Sequence, residues 1–312
     1  MSPSSYELPA DFHGDVFHGG ELRVQEQCGT RPTAERLRGA FHEEMPSAAA
    51  DFLAAQRMVL LGGSAPRGEV WASAVMGAPG FLHALDPSRL WIQALPSAED
   101  PLADCLASGA AVGLLAIDFE ARRRLRLNGF VESRPESGLV IRAQQVYSNC
   151  SKYIHRRRAD TAGLAEADRA TRSRSGSLDV DAAARIAAAD TLFIATAHRV
   201  GGADVSHRGG APGFVRVEDA ATLSWPDFSG NGLFQTHGNL SEDPRAGLLV
   251  IDFRDGTALQ MTGTAQVVDE RRSAQSPPGQ AAEGTQRRVQ FRIEQWVARP
   301  GAVPIRWIDL ET

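Results

Sequence analysis

The chain has 312 residues, of which 43% are hydrophobic and 23% are charged, a composition typical of one large globular domain or two ordinary ones. Its formal net charge of −5 argues against a nucleic-acid-binding protein, and no apolar run approaches the roughly 18 residues of a membrane span. Three widely spaced cysteines and an N-terminus without a secretory signal lead us to expect a cytoplasmic protein.

The first half of the chain reads mostly as short strands. An alanine-rich stretch, 46–56, predicts a helix leading into the apolar strand "MVLLGG". The sequence "GAPGF" at 77–81 predicts the type II turn of a hairpin, because proline presets φ at the second turn position and glycine accepts a positive φ at the third. The run "GLLAIDF" at 113–119 predicts a buried strand. Residues 119–129, rich in arginine, predict a following hairpin with its arginines exposed.

The second half repeats these blocks in the same order. "GAPGF" recurs at 210–214, "GLLVIDF" at 247–253 and "LQMTG" at 259–263, so that matching blocks lie 133 or 134 residues apart. Near-constant spacing over three separated blocks indicates a domain duplication. Helices are predicted at 180–190 and from about Asn231.

The repeats also predict the boundaries of the chain's parts. We expect a lead-in of residues 1–35 that packs across two small barrels, a first copy at 36–158, a linker at 159–179 and a second copy at 180–312. Residues 269–288 contain Pro-Pro, Gln, Ser and Gly and predict a loop between two strands. The fold class is therefore mainly β with few helices.

Polar side chains distinguish the second copy from the first. Ser206, His207 and Arg208 precede its turn, where the first copy has "SAVM" from Ser73, and Asn231, Gln235 and Thr236 lie near its second predicted helix. A guanidinium fork, hydroxyls, amides and glycines suit an anionic phosphate, although a solvated strand end would explain them too. Because neighbours on a strand point to opposite faces, His207 faces the core or solvent if its neighbours face a ligand.

Four blocks of the second copy resemble a known family. "FIATAHRVGGADVSHRGGAPGFVRV", "SWPDFSGNGLFQTHGNL", "DPRAGLLVIDF" and "LQMTGTAQVV" resemble, in this order, the pyridoxamine 5′-phosphate oxidase-like proteins of the FMN-binding split-barrel superfamily. The first copy resembles the family more loosely. Its segment "VYSNCSKYIHRR" is similar to an Asn-Cys-Pro-Lys-Tyr-Ile signature, with Ser151 in place of the proline.

The resemblance implies two tandem split β-barrels, Greek-key and six-stranded each, that form an internal pseudo-dimer with FMN in the cleft between them. By position, Arg208 matches a residue that contacts the flavin phosphate, and Gln235 and Thr236 stand where the oxidases carry a basic pair. Lys152 and the arginines of 156–158 either reach a phosphate or a nicotinamide cofactor or form a solvated helix end. The first copy lacks the basic residue at Val75, so we expect at most one well-formed site.

These expectations lead to a function. We expect an FMN-dependent oxidoreductase that passes electrons between a reduced nicotinamide or small substrate and oxygen or a second substrate. The alternatives are a non-catalytic protein that binds flavin, haem or a deazaflavin, and a structural protein whose site has decayed. The sequence identifies no catalytic acid or base and no metal site. It predicts small-molecule partners only, with no nucleic acid or membrane, and either a monomer with an internal pseudo-dimer or a homodimer.

Overall fold

The computed structural model describes residues 16–160, 172–269 and 287–311, and most of their regular structure is strand. The helices are α1 Gly19–Gln27, α2 Arg31–Leu37, α3 Ser47–Ala54, α4 Val180–Ala188 and α5 Gln235–Glu242, with short 3₁₀ helices at Arg38–Ala40 and Pro101–Cys105. The strands up to residue 175 are β1 Met58–Ser64, β2 Val70–Met76, β3 Leu82–Asp86, β4 Arg89–Ile92, β5 Ala111–Asp118, β6 Arg123–Ser133, β7 Leu139–Asn149, β8 Arg157–Asp160 and β9 Arg172–Ser175. The remaining strands are β10 Thr191–His198, β11 Gly202–Gly209, β12 Arg216–Asp219, β13 Thr222–Pro226, β14 Arg245–Asp252, β15 Thr257–Asp269, β16 Arg287–Arg299 and β17 Arg306–Asp309.

The two halves have the same antiparallel topology. The strand order is β2-β1-β5-β6-β7-β4-β3 in the first copy and β11-β10-β14-β15-β16-β13-β12 in the second, where β9 also pairs with β16. This identity of order confirms the predicted mainly β tandem duplication. Each path has seven strands rather than six and is open at its ends. The short strands β3 and β12 have five and four residues, too few for side-chain alternation to be seen in the sequence.

The repeated Ala-Pro-Gly-Phe turn has the predicted backbone but a different place in the sheet. Gly80 has φ +93° and Gly213 has φ +90°, and the Phe81 and Phe214 N–H groups each donate to a carbonyl three residues earlier at 2.9 Å. The turn joins β2 to β3, and β11 to β12, strands that lie at opposite ends of each path. The predicted hairpin was therefore wrong, because this turn makes a corner between unpaired strands.

Two apolar clusters form the cores of the separate copies, and a third joins the copies. Each sheet wraps its own core, the first around residues such as Leu61 and Leu114 and the second around Trp225 and Phe291. A third cluster lies between the copies and combines Leu60 and Leu115 of one with Phe193, Leu249 and Ile251 of the other. Burying each such side chain stabilises the fold by about 1.5–3 kcal/mol. The pseudo-dimer interface is thus a hydrophobic core in its own right.

Two equivalent glycines set how closely the copies approach. A Cβ on Gly113 of β5 would lie 2.5 Å from the Asp204 Cα of β11, and a Cβ on Gly247 of β14 would lie 2.5 Å from the Val70 carbonyl oxygen of β2. Each buried strand therefore lies against the backbone of the other copy's edge strand. The glycine that opens both "GLL-IDF" blocks is explained by this contact.

The lead-in contacts both copies. The Gln25 amide donates to the Leu233 carbonyl at 2.9 Å and the Thr30 hydroxyl to the Gly232 carbonyl at 3.0 Å, while Gln145 of β7 donates to the Val16 carbonyl at 3.1 Å. Residues 1–15 lie outside the described residues, as do 161–171 of the predicted linker and 270–286 of the predicted loop. The described helices are all too short or too polar to cross a bilayer.

Replacing Gly113 with alanine should weaken the contact between the copies. The added methyl group meets backbone rather than a mobile side chain, so we expect Gly113→Ala to lower the free energy of unfolding by about 1–3 kcal/mol. Urea denaturation measures the change. Gly39→Ala is the matched control, because nothing lies within 4 Å of its Cβ position. Equal stabilities of the two variants would contradict the close approach.

Candidate functional site

A cavity of about 390 Å³ opens where β6 and β11 meet the loop 227–234 and the start of α5. Its size falls within the range of about 300–1,000 Å³ usual for small-molecule sites. The structure brings all seven sequence-predicted site residues to its wall. They are Lys152, Ser206, His207, Arg208, Asn231, Gln235 and Thr236.

Arg126 lies at the centre of the wall and crosses from the first copy to the second. It is 7% exposed. Its guanidinium donates to the Tyr147 hydroxyl at 3.1 Å, to Gln235 Oε1 at 3.0 Å and to the Ser206 hydroxyl. Ser206 in turn shares a hydrogen bond of 2.7 Å with the Thr236 hydroxyl. These bonds link β6 and β7 of one copy to β11 and α5 of the other.

Two further guanidinium groups line the cavity without a carboxylate partner among the described residues. Arg124 contacts His207 Nδ1 at 3.1 Å, and Arg208 donates to the His207 carbonyl at 3.0 Å. Burial, together with the nearby charges of Arg126 and Arg208, lowers the pKa of Arg124 to about 10. Burial also lowers the pKa of Arg208. Both groups remain charged at neutral pH, so the cavity carries buried positive charge that an anion would neutralise.

The start of α5 adds backbone donors to the cavity. Phe234 precedes the helix in the left-handed region with φ +57°, and no side chain caps the N–H groups of the first turn. We predicted a helix from about Asn231, which was four residues too early. Asn231 Oδ1 instead accepts a hydrogen bond from the Leu233 N–H at 3.1 Å, and Gly232 at φ +75° interrupts the helical path.

The buried histidines of the cavity are held neutral. Burial lowers the pKa of His237 to about 4, although Asp227 lies 3.4 Å from its Nε2. Burial and the adjacent Arg124 keep the pKa of His207 well below its ordinary value. His207 also packs edge-on against Phe193, on the side of the interface core. Neither ring therefore adds charge to the cavity at neutral pH.

The tail of the first copy closes one side of the cavity. Tyr153 stacks on Phe228 with ring centroids 5.1 Å apart, and its hydroxyl donates to the Ser229 carbonyl at 3.1 Å. Lys152 lines the cavity beside it and is exposed. Tyr153 has φ +64°, so the chain turns sharply two residues after Ser151. Lys152 and the turn at Tyr153 thus both contribute to the wall of the 390 Å³ cavity.

Sequence reasoning missed the contribution of the first copy's hairpin. The hairpin itself is confirmed, since β5 and β6 pair from Ala111 to Asp118. The prediction that its arginines are exposed was wrong for Arg126, which is buried, and for Arg124, which is partly buried. The signal was present in "RLRLN", because strand alternation puts both arginines on the face opposite Leu125 and Leu127.

A second, larger cavity of about 1090 Å³ lies on the other side of this wall. Gln235 lines both cavities, and Asp204 and Asn128 line only the larger one. Asp204 lies 3.8 Å from Arg126, and burial raises the pKa of its carboxyl group. Asp204 Oδ1 and Asn128 Oδ1 have no hydrogen-bond partner among the described residues. The larger cavity therefore offers buried acceptors, whereas the smaller one offers cations.

One cluster of metal-ligand types occurs beside the larger cavity. His18, His198 and Glu242 bring their ligand atoms within 4.8 Å of one another. The ring nitrogens are already engaged: His18 contacts Asn239 and the Gly20 N–H, and His198 contacts Glu242 and the Gly201 N–H. The two rings stack with centroids 3.8 Å apart. These contacts tie the lead-in to α5.

Comparison with known proteins identifies the second copy. Residues 178–299 match the family model described as pyridoxamine 5′-phosphate oxidase. This match assigns the second copy, rather than the whole chain, to the pyridoxamine 5′-phosphate oxidase-like family. All residues predicted for the site except Lys152 lie within the matched range. A search of curated proteins finds no match.

Several solved structures are similar to about two fifths of this chain. A putative pyridoxamine 5′-phosphate oxidase from Lactobacillus delbrueckii is 18% identical and covers 38% of this chain and 93% of its own, with a TM-score of 0.32. HupZ of Group A Streptococcus is 14% identical and covers 38% and 92%, with a TM-score of 0.30. A protein related to general stress protein 26 from Clostridium acetobutylicum is 12% identical and covers 41% and 90%, with a TM-score of 0.29.

The low pKa of His237 predicts a pH dependence of stability. Because the folded pKa of about 4 lies below the ordinary 6.5, its contribution is present above about pH 6.5 and is lost as the pH falls towards 4. His237→Gln should therefore reduce the fall in unfolding free energy over this range by up to about 3 kcal/mol. Urea denaturation at each pH measures it, with exposed His83→Gln as control. Parallel pH profiles for wild type and His237→Gln would refute the assignment.

Proposed function

We propose that the chain is an FMN-dependent oxidoreductase that binds one FMN in the cleft between its copies. The observation that carries this proposal is the buried positive charge of the 390 Å³ cavity, where Arg124, Arg126 and Arg208 converge beside the uncapped start of α5. A dianionic phosphate is the kind of ligand that such a set of guanidinium groups and backbone donors binds. The match of the second copy to the pyridoxamine 5′-phosphate oxidase family model supports the choice of FMN.

The residues present fit the phosphate of FMN. Arg208 offers a guanidinium with no carboxylate partner among the described residues, Ser206 and Thr236 offer hydroxyls, and the first turn of α5 offers N–H groups. Arg124 Nε and Asn149 Oδ1 are buried and have no hydrogen-bond partner among the described residues, so both are available to a ligand. The cavity wall therefore offers more hydrogen-bond donors than acceptors, as an oxyanion requires.

FMN, when bound, supplies the transfer of hydride and electrons. The chain's own residues would bind the cofactor and orient it. Arg126 holds Gln235 in place through its hydrogen bond at 3.0 Å, and Tyr147 accepts a second bond from Gln235 at 2.6 Å. Burial raises the pKa of Tyr147 to about 12, so its hydroxyl stays protonated and can keep this geometry at all ordinary pH values. Gln235 is therefore a fixed amide between the two cavities.

The larger cavity favours an enzyme over a carrier. A binding protein without turnover has no need for a second compartment, whereas an oxidoreductase must admit a second reactant. The 1090 Å³ cavity shares Gln235 with the FMN cleft and is large enough for a reduced nicotinamide or a small substrate. Both copies of one chain line the cleft, so we expect a single chain to form a complete site.

The absorbance spectrum of the freshly purified protein tests the cofactor and the activity together. We expect the bands of oxidised flavin, and we expect reduced nicotinamide to bleach them under nitrogen. Flavin or deazaflavin bands that neither nicotinamide nor a substrate screen reduces would support the non-catalytic binding protein. A Soret band would assign haem instead. A colourless protein that takes up no added FMN would refute the proposal that the chain binds flavin.

The anchoring role of Arg208 has its own test. Arg208→Ala removes a charge-assisted contact, so FMN should bind about 10–100-fold more weakly. Riboflavin, which lacks the phosphate, should bind wild type and variant alike. Quenching of flavin fluorescence measures both affinities, and the exposed Arg67→Ala is the control. An equal loss for FMN and riboflavin would show that Arg208 does not contact the phosphate.

A further inference from the structure

The duplication gives three residues that line the candidate site a counterpart in the opposite copy. Ser73 matches Ser206 in the sequence repeat, and Gln260 matches Arg126. The strand register adds a third pair. Asn149 lies opposite Arg124 in the pairing of β6 with β7, and Arg299 lies opposite Ala258 in the pairing of β15 with β16. Because Ala258 matches Arg124 in the repeat, Arg299 is the counterpart of Asn149.

These three counterparts converge on one carboxylate. Asp100 accepts hydrogen bonds from the Ser73 hydroxyl, from Gln260 Nε2 at 2.9 Å and from the Arg299 guanidinium. Asp100 also accepts a bond from the Leu102 N–H at 3.0 Å. Asp100 is 2% exposed and Gln260 is fully buried. Both carboxylate oxygens are thus satisfied by donors from both copies.

The charge balance of the two clefts differs accordingly. In the candidate site, Arg124 and Arg208 have no carboxylate partner among the described residues. In the opposite cleft, the partly buried cation Arg299 forms its ion pair with the buried Asp100. Asp100 occupies the position just before the 3₁₀ helix, as Phe234 occupies the position just before α5. One cleft therefore carries its own anion at the place where the other has none.

We infer that the side chain of Asp100 is an internal ligand that fills the counterpart of the anion site. The pocket formed by Ser73, Gln260 and Arg299 binds a carboxylate-sized oxyanion, and the wild-type chain supplies that oxyanion itself. The protein therefore takes up one external anion per chain rather than two. Shortening residue 100 opens a second site for a small free carboxylate. This inference depends on the pseudo-symmetry of the copies and not on which ligand fills the first cleft.

Chemical rescue by formate tests the inference. Asp100→Ser keeps a side chain that can cap the 3₁₀ helix but removes the carboxylate, leaving Arg299 without its anion. We expect its Tm in chloride to fall by about 5–10 °C. Formate at the same ionic strength should restore at least half of this loss, with saturation. Formate supplies the carboxylate that the variant lacks.

Asp100→Asn is the matched control. Its amide also lacks the charge but fills the same space, so formate should stabilise it no more than it stabilises wild type. Any binding of formate in the candidate site is common to all three proteins and cancels in the comparison. Equal formate responses of Asp100→Ser and wild type would overturn the inference. So would an equal rescue of Asp100→Asn, because formate would then act elsewhere.

The test does not depend on Asp100→Ser folding in chloride. If that variant is insoluble there, the yield of soluble protein after refolding in formate and in chloride replaces the Tm. A higher yield in formate for Asp100→Ser, but not for Asp100→Asn, supports the internal ligand. Equal yields contradict it. Loss of FMN binding in the first cleft would leave either result unchanged, so the two proposals can fail separately.

Discussion

The architecture depends on one buried guanidinium that belongs to one copy and is satisfied by the other. Removing a charged group from water costs several kcal/mol unless hydrogen bonds and counter-charge replace its hydration. Arg126 finds these in Tyr147 of its own copy and in Gln235, Ser206 and Asp204 of the second. The apolar interface brings the sheets together, but it would tolerate small sliding movements. The directional bonds of Arg126 fix the relative position of β6, β11 and α5.

The tandem arrangement of the chain explains how the two clefts can differ. In a symmetric dimer every substitution appears in both sites, whereas a tandem chain can change one. Arg126 is a cation on one side, whereas its counterpart Gln260 is neutral and donates a hydrogen bond to Asp100. Arg208 likewise has only Val75 as its match. The candidate site leaves Arg124 and Arg208 for an external anion to neutralise, whereas in the opposite cleft Arg299 is already paired with Asp100.

The sequence predicted the elements better than their assembly. The repeated blocks predicted α3, α4, β5, β14 and the duplication itself, because those signals are local periodicity and spacing. The corner formed by Ala-Pro-Gly-Phe was mistaken for a hairpin, since a turn type does not reveal whether its flanking strands pair. The seven predicted site residues do line one cavity. Arg124 and Arg126 were missed because a charged run beside a turn has the same composition whether its strand faces solvent or a cleft.

The position of the candidate site across both copies has a consequence for how the protein responds to its ligand. A molecule held by Arg208 and Thr236 on one side and by Arg124 and Lys152 on the other acts as a non-covalent cross-link between the halves. By mass action it stabilises only the assembled state, by RT ln(1 + [L]/Kd), which is about 2.7 kcal/mol at a hundredfold excess over Kd. The ligand occupancy of the candidate site and the stability of the contact between the two copies are therefore thermodynamically linked. A measured change in one implies a change in the other.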